Sequence, residues 1–316
     1  MAGEGRRYPI DKKYSAIAIA YKNEELIAES VLPMTPVPSK EFKWIRHTRE
    51  EGYQLVDDRV GRKSKPNQVS FEGTEETSSC VDYGLDDPIP NSDLEANNIP
   101  GFDIKGKSTE YLKNLLMLRH EKRVADTVFN AATYPADNRE VLAGGDQLDN
   151  DATDAKAYLL DVIDRPLMRP NIAVFGNDSW RKIRQNPSIV EAVKGTGAGV
   201  DARGIITRQQ FADLMELQAV YVGRGRANLS KRGQNADIRR LWGNHIAFLH
   251  RDTLAGPQRG MTFGMTAKFG TDTVRMIEDP DVGIDGGIRN RQGWKGRIII
   301  TAADLGFFVE NAVSDT

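Results

Sequence analysis

Cysteine is nearly missing from this chain: Cys80 is the only one in 316 residues. That excludes a disulfide within the chain and any cluster of thiolate metal ligands, and the lone thiol reads as inert rather than catalytic. No apolar run approaches the roughly 18–20 residues of a helical membrane span, and Met1–Ile10 lacks the apolar core of a signal peptide. An excess of either charge is lacking too. Lys and Arg number 43 against 45 Asp and Glu, a net charge of −2, so there is no general basic footprint of the kind that grips nucleic acid. Catalytic signatures are equally sparse. Gly-x-Ser-x-Gly is absent, and Asp146, Asp149, Asp151 and Asp154 sit in a Gly/Asn-rich context that suits capping and solvation. The histidines form no metal set, because His245 and His250, five apart on an expected strand, face opposite ways. His120, between Arg119 and Glu121 on an expected helix, reads as solvated or at an interface. No catalytic residue, cofactor or metal is expected.

A further absence is local. Between Pro66 and Ile104 there is no Lys or Arg, whereas Glu72, Glu75, Glu76, Asp82, Asp86, Asp87, Asp93, Glu95 and Asp103 are all acidic. Pro88, Pro90 and Pro100 are expected to keep the stretch out of helices. With so few apolar residues it cannot offset an ordering cost of roughly 1–2 kcal/mol per residue, so residues 40–100 are expected to be completed partly by another chain. Upstream, Tyr14–Ala20 reads as a short strand or arm. Phe42 with Trp44, Tyr53 with Leu55, and Val69 with Phe71 alternate with polar residues as half-buried strands do, around a charged tip at Gly61–Asn67.

What is present begins with a long helix, expected from a cap at Ser108 to Tyr134, where Pro135 stops it. Tyr111, Leu115, Leu118, Ala125 and Phe129 share one face, widened by Leu112, Val124 and Val128. Strand and helix then alternate: a helix over 155–164, a buried strand over Asn171–Gly176, helices after Asp178, at Ile189–Val193 and after a Thr207 cap, and strands over 219–223 and 241–250. The alternation marks 150–252 as a mixed domain. Met261–Phe269, Thr273–Ile277 and Arg297–Val313 are strand-like.

Two loops invite function. Gly195-Thr196-Gly197-Ala198-Gly199 looks like a phosphate cradle, but it lacks the preceding strand and following helix of a dinucleotide site and the Lys-Ser/Thr of a P-loop. It reads as a surface loop; a cytoplasmic nucleotide- or sugar-processing α/β enzyme using Gly195–Gly204 is the alternative. The second loop is basic: Arg224, Arg226, Lys231, Arg232, Arg239 and Arg240 are opposed only by Asp237. Pairing with the acid-only stretch Glu72–Asp103 of a neighbouring copy is favoured over phosphate contact, and a nucleic-acid-binding accessory protein is the third reading.

The order of elements resembles the major capsid protein of tailed bacteriophages, the Hong Kong 97-type α+β fold. Local phrases are similar as well: Glu121-Lys122-Arg123-Val124-Ala125 in the long helix, Pro170–Gly176 followed by Asp178-Ser179-Trp180, and Leu241-Trp242-Gly243-Asn244. The resemblance implies an N-terminal arm (1–39), an extended loop (40–80), a peripheral domain built on the long spine helix (81–149 and 253–316) and an axial domain (150–252). It implies a shell subunit that forms hexamers and pentamers of an icosahedral head around double-stranded DNA, assembled in the host cytoplasm. Portal, decoration and scaffolding proteins would be its partners, the last as a separate protein because the start reads as nearly mature. Packaged DNA would be contacted without specificity. Phe42, Trp44, Tyr53, Val69, Phe71, Arg224, Arg226, Arg239 and Arg240 are the expected contacts between subunits. Deleting Lys43–Phe71 is expected to leave a folded chain that no longer assembles.

Overall fold

The computed structural model of the chain describes residues 13–16, 23, 25–46, 55–68, 74–96, 103–194, 204–231 and 233–314. Two five-stranded sheets flank one long helix.

The first sheet is organised by β13 (Gly287–Ile300). Along one side β4 (Val81–Pro90) runs antiparallel, from Val81 opposite Gly296 to Pro90 opposite Gly287. The other side is shared by β12 (Thr273–Asp279) and β11 (Gly264–Phe269), and β1 (Met34–Val37) joins β11 in parallel. The β4 part of the acid-only stretch is thus strand paired within its own chain. Asp82 stands opposite Lys295 and Asp86 opposite Arg291 in the register, so basic residues of β13 offset the acids of β4. Pro88 and Pro90 are tolerated because β4 pairs on one side only, where a missing N–H costs nothing. A short helix, α2 (Asn91–Ala96), fits between Pro90 and Pro100, against the expectation that prolines exclude helix there. The N-terminal residues 13–16 form a helical turn on this sheet rather than a strand, with Tyr14 packed beside Val274.

The long helix α3 (Ile104–Val128) has 25 residues, about 37 Å at 1.5 Å per residue. It starts earlier than expected because Asp103, not Ser108, caps it, accepting from Gly106 N at 3.0 Å. Ser108 is buried and donates to Asp87 at 2.6 Å. It also ends earlier: Thr133 Oγ1 and Tyr134 Oη fold back to donate to Thr127 O and Val128 O at 2.7 and 2.8 Å, satisfying carbonyls that a longer helix would have used. Its buried side carries Leu112, Leu116, Val124, Ala125 and Val128, together with Lys113, His120 and Glu121, while Tyr111 is exposed.

The second sheet has the order β5 (Arg139–Val141), β14 (Gly306–Glu310), β10 (Ile246–Leu249), β6 (Ile172–Gly176), β7 (Ala219–Gly223). It draws its β5 and β14 from outside 150–252. Every residue of β6 is buried, which requires cover on both faces. Ala173 and Phe175 face a core with Leu159, Ile163, Trp180, Ile189 and Phe211, supplied by α4 (Ala155–Asp164), α5 (Asn177–Ile183), α6 (Pro187–Lys194) and α7 (Arg208–Leu214). Ile172 and Val174 face Val124, Val128, Trp242, Phe263 and Leu305, so the second half of α3 forms the opposite cover. Thr207 caps α7 through a reciprocal capping box with Gln210, as its Thr-x-x-Gln spacing dictates. Gly223 at the end of β7 is required by packing: a Cβ there would lie 2.1 Å from the Trp242 ring.

Candidate assembly surfaces

Glu121 ties three parts of the chain together. Its carboxylate is wholly buried and accepts from Ile27 N at 3.0 Å and Ala28 N at 2.7 Å, at the start of the short helix α1 (Ala28–Val31), and from Trp242 Nε1 at 2.6 Å. The N-terminal segment, the long helix and the second sheet therefore share one acceptor. Burial pushes the carboxyl above its ordinary range, against the pull of the three donated hydrogen bonds. The adjacent residue, His120, is also buried within its own chain, against the expectation of a solvated or interface position. It packs edge-on against Trp294 at 5.2 Å between ring centroids, and burial, with Arg123, Lys113 and Lys268 nearby, lowers its pKa to about 4. It is neutral at neutral pH. Lys113 reaches past it to Asp272 at 2.5 Å, and Lys268 adds a second contact to Asp272 at 2.8 Å. Burial alone would raise the Asp272 carboxyl, but the two ammonium groups hold it below its usual range.

The second feature is a hairpin of β2 (Glu41–Arg46) and β3 (Thr74–Ser79), in register from Glu41 opposite Ser79 to Arg46 opposite Thr74. Its root is core. Phe42 and Trp44 pack with Val37, Cys80, Ala255, Met265, Ala267 and Ile299, and Trp44 Nε1 donates to Ser78 Oγ at 3.0 Å. These two residues, expected between subunits, are occupied within their own chain, because alternation along β2 turns them onto the first sheet. Cys80 is buried beside them, and burial raises its thiol pKa. Beyond the root, residues 55–68 are exposed throughout, Leu55 completely so. Tyr53, Val69 and Phe71 lie outside the described residues.

The acids expected to seek a neighbour are largely paired at home. Asp82 meets Lys40 at 3.2 Å, Glu75 meets Lys43, Glu76 meets Arg46 at 3.2 Å, and Asp103 meets Lys13 at 3.0 Å. Asp86 takes a two-point contact from Arg291, Nε to Oδ1 at 2.8 Å and Nη2 to Oδ2 at 2.7 Å, and that pairing raises the guanidinium pKa. The basic run is the opposite case. It forms a hairpin of β8 (Arg226–Asn228) and β9 (Ile238–Arg240) at the end of β7. Arg239 pairs with Asp237 at 3.0 Å, and Arg240 is half-buried against Asp178 at 3.3 Å. Arg224 and Arg226 are exposed with no ion pair or hydrogen bond from their side chains among the described residues. Arg232 is outside the described residues.

Among the described residues no group of three His, Cys, Asp or Glu could hold a metal ion, and no helix is long and apolar enough to cross a membrane. Gly195–Gly199 lies outside the described residues. His245 Nδ1 accepts from Asn311 N and His250 Nδ1 lies 3.0 Å from Arg169 O, so both rings serve local structure. A cavity of about 900 Å³ between β1, the root of the β2–β3 hairpin and residues 253–259 is lined mainly by Pro33, Pro36, Val37, Phe42 and Leu254. Glu41, Lys43 and Arg259 also line it, beside these apolar walls.

Sequence and structure comparisons agree with this picture. No family model matches the chain. The major capsid protein of Pseudomonas phage JBD67 is 41% identical over 307 residues, 97% of this chain and 98% of that protein. The major capsid protein of Burkholderia phage BcepMu is 23% identical over 68% of each. Among solved structures, a phage-related protein from Bordetella bronchiseptica superposes with a TM-score of 0.74 at 19% identity, covering 97% of this chain and 98% of that one. The capsid of the cyanophage P-SCSP1u gives 0.59 at 12% identity over 90% and 88%. The fold is the Hong Kong 97-like α+β capsid fold, and by its sequence relatives the chain belongs to the major capsid proteins of phages.

Proposed function

We propose that this chain is the shell subunit that closes an icosahedral phage head as hexamers and pentamers around double-stranded DNA, and that its work is done entirely by interfaces. The observation that carries this reading is the division of the β2–β3 hairpin into a root buried in its own chain and a tip, 55–68, left wholly in solvent. In this reading residues 40–80 are the extended loop that crosses a neighbouring subunit, and 1–39 the arm. The peripheral domain is 81–149 with 253–316, built on α3, and the axial domain is 150–252 completed by β5 and β14. A near-zero net charge suits a container that holds DNA without gripping it, because phosphate contacts accumulate and are salt-sensitive. Assembly takes place in the host cytoplasm with a separate scaffolding protein, a portal and a decoration protein as partners. The subunit performs no catalysis.

Because Trp44 is core, the informative deletion begins after Arg46. Replacing residues 47–73 with a short turn should leave a chain that melts within a few degrees of the parent and forms no shells. A truncated chain that still closes shells would remove the loop from the assembly mechanism.

A further inference from the structure

The second sheet carries opposite charges on its two edges. β5, β14, β6 and β7 run in one direction and β10 in the other. The segments that follow β5 and β7 therefore leave the sheet at the same end, from opposite edges, four strand spacings or roughly 19 Å apart. At the β5 edge is the loop 142–154. Asp149 is held there by Lys182 at 2.8 Å and Asp154 caps α4, but Asp146 and Asp151 are exposed and unpaired among the described residues. At the β7 edge is the β8–β9 hairpin, where Arg224, Arg226 and Lys231 are exposed and their side chains unpaired among the described residues. Each edge also offers apolar surface: Val141 is 62% exposed beside the acidic loop, and Leu229 and Ile238 are 48% and 63% exposed on the basic hairpin.

We infer that the basic hairpin 224–240 of one subunit docks on the acidic loop 142–154 of the next copy, head to tail around the capsomer. This rests on the shell reading above and assigns one of its contacts. Charge complementarity selects the pair, hairpin with loop, and the placement of the two patches on opposite edges of the sheet lets each copy meet a different neighbour at each edge. A two-fold pair could also set each hairpin on the other copy's loop, so closed dimers in place of rings would count against the arrangement. A head-to-tail contact joins unlike edges, and a repeated head-to-tail contact closes into a ring. Leu229, Ile238 and Val141 leave water in the same contact, while the exposed ion pairs supply register and salt sensitivity.

The test uses the full chain at low salt, with ring size read by native mass spectrometry and folding by thermal unfolding. Hairpin reversal (R224E, R226E) and loop reversal (D146K, D151K) should each keep the parental melting temperature and lose rings, with at least a roughly tenfold rise in the concentration needed for assembly. Carrying all four substitutions in one chain should restore rings. Mixing the two singly reversed chains should also restore them, but only with an even number of subunits, because each subunit must alternate with its opposite; six-membered rings should return and five-membered ones should not. The neutral pair R224Q and R226Q serves if the reversal impairs folding. The inference is overturned if either reversal assembles like the parent, if the fourfold variant stays unassembled, or if mixed rings include odd sizes. Reversal of the hairpin that leaves rings intact but reduces bound DNA would give the hairpin to nucleic acid instead. If the parental chain forms no rings or shells under any salt condition, the shell reading itself fails.

Discussion

Replacing Glu121 with alanine should uncouple the N-terminal segment from the body. The substitution strands three donors, Ile27 N, Ala28 N and Trp242 Nε1, all now satisfied within 3.0 Å by one buried carboxylate. A buried donor left unpaired costs about 1–3 kcal/mol. A cavity of about 330 Å³ lined by Leu26, Ala28, Met117 and Glu121 adjoins the site, so water can reach part of it and the low end applies to the two amides. Removing the carboxylate also removes its desolvation penalty, the effect that raises its pKa. The balance is a loss of about 3 kcal/mol, or roughly 4–5 °C in melting temperature for a chain of this size. Glu121→Gln keeps one acceptor oxygen but turns an amide N–H2 toward a donor, and should lose about half as much. The pH dependence has a defined sign. Because the folded carboxyl titrates above its unfolded value of 4.5, the folded state binds the extra proton in that window, and this group's contribution to stability falls as pH rises through the folded pKa. Glu121→Gln should flatten that slope. The assays are thermal unfolding between pH 5 and 8 and limited proteolysis of the N-terminal segment, which should be cut faster in the alanine variant. A Glu121→Ala chain that melts within about 1 °C of the parent and is no more susceptible to protease would refute the reasoning.

Three other outcomes follow from the same structure. Trp44→Ala should destabilise the folded chain by about 3–5 kcal/mol because its ring is core, whereas Leu55→Ser should leave the melting temperature unchanged and reduce shell yield, as counted in electron micrographs. His120 titrates in the opposite sense to Glu121. With a folded pKa of about 4 against 6.5 unfolded, its stabilisation is present above pH 6.5 and is lost as pH falls toward 4, on the order of 3 kcal/mol; His120→Gln should remove this acid sensitivity in unfolding curves. Arg291→Ala should cost no more than about 1 kcal/mol, since its pair with Asp86 is at the surface, and 0.5 M salt should abolish the difference from the parent.

The sequence discloses some parts of this fold far better than others. The Thr207 capping box, the 155–164 helix and the all-apolar run 172–176 are visible because local chemistry decides them. The long helix is visible as a helix, and Leu112, Val124, Ala125 and Val128 of its expected face are buried while Tyr111 is not; its ends are not visible, because Asp103, Thr133 and Tyr134 act through side-chain caps. Burial of Glu121 and His120 has no signature in sequence: each looks like a surface residue of a charged helix until Trp242 and Trp294, more than a hundred residues away, are brought against it. The acid-only stretch is readable as unusual, but its partners are distant in sequence: Lys13, Lys40, Lys43 and Arg46 upstream, and Arg291 on β13 some two hundred residues downstream. The assembly contacts were readable only as charge and exposure. Phe42 and Trp44 carry the alternation expected of an interface and instead fill their own core, while Arg224 and Arg226 remain available.

The most direct test of the central claim is electron microscopy of the purified full-length chain across a concentration and salt series. Capsomers should form at low concentration, and closed icosahedral shells, or tubes built from six-membered rings, as concentration rises. A monodisperse monomer or dimer at every concentration, thermally stabilised by a nucleotide or sugar, would contradict it.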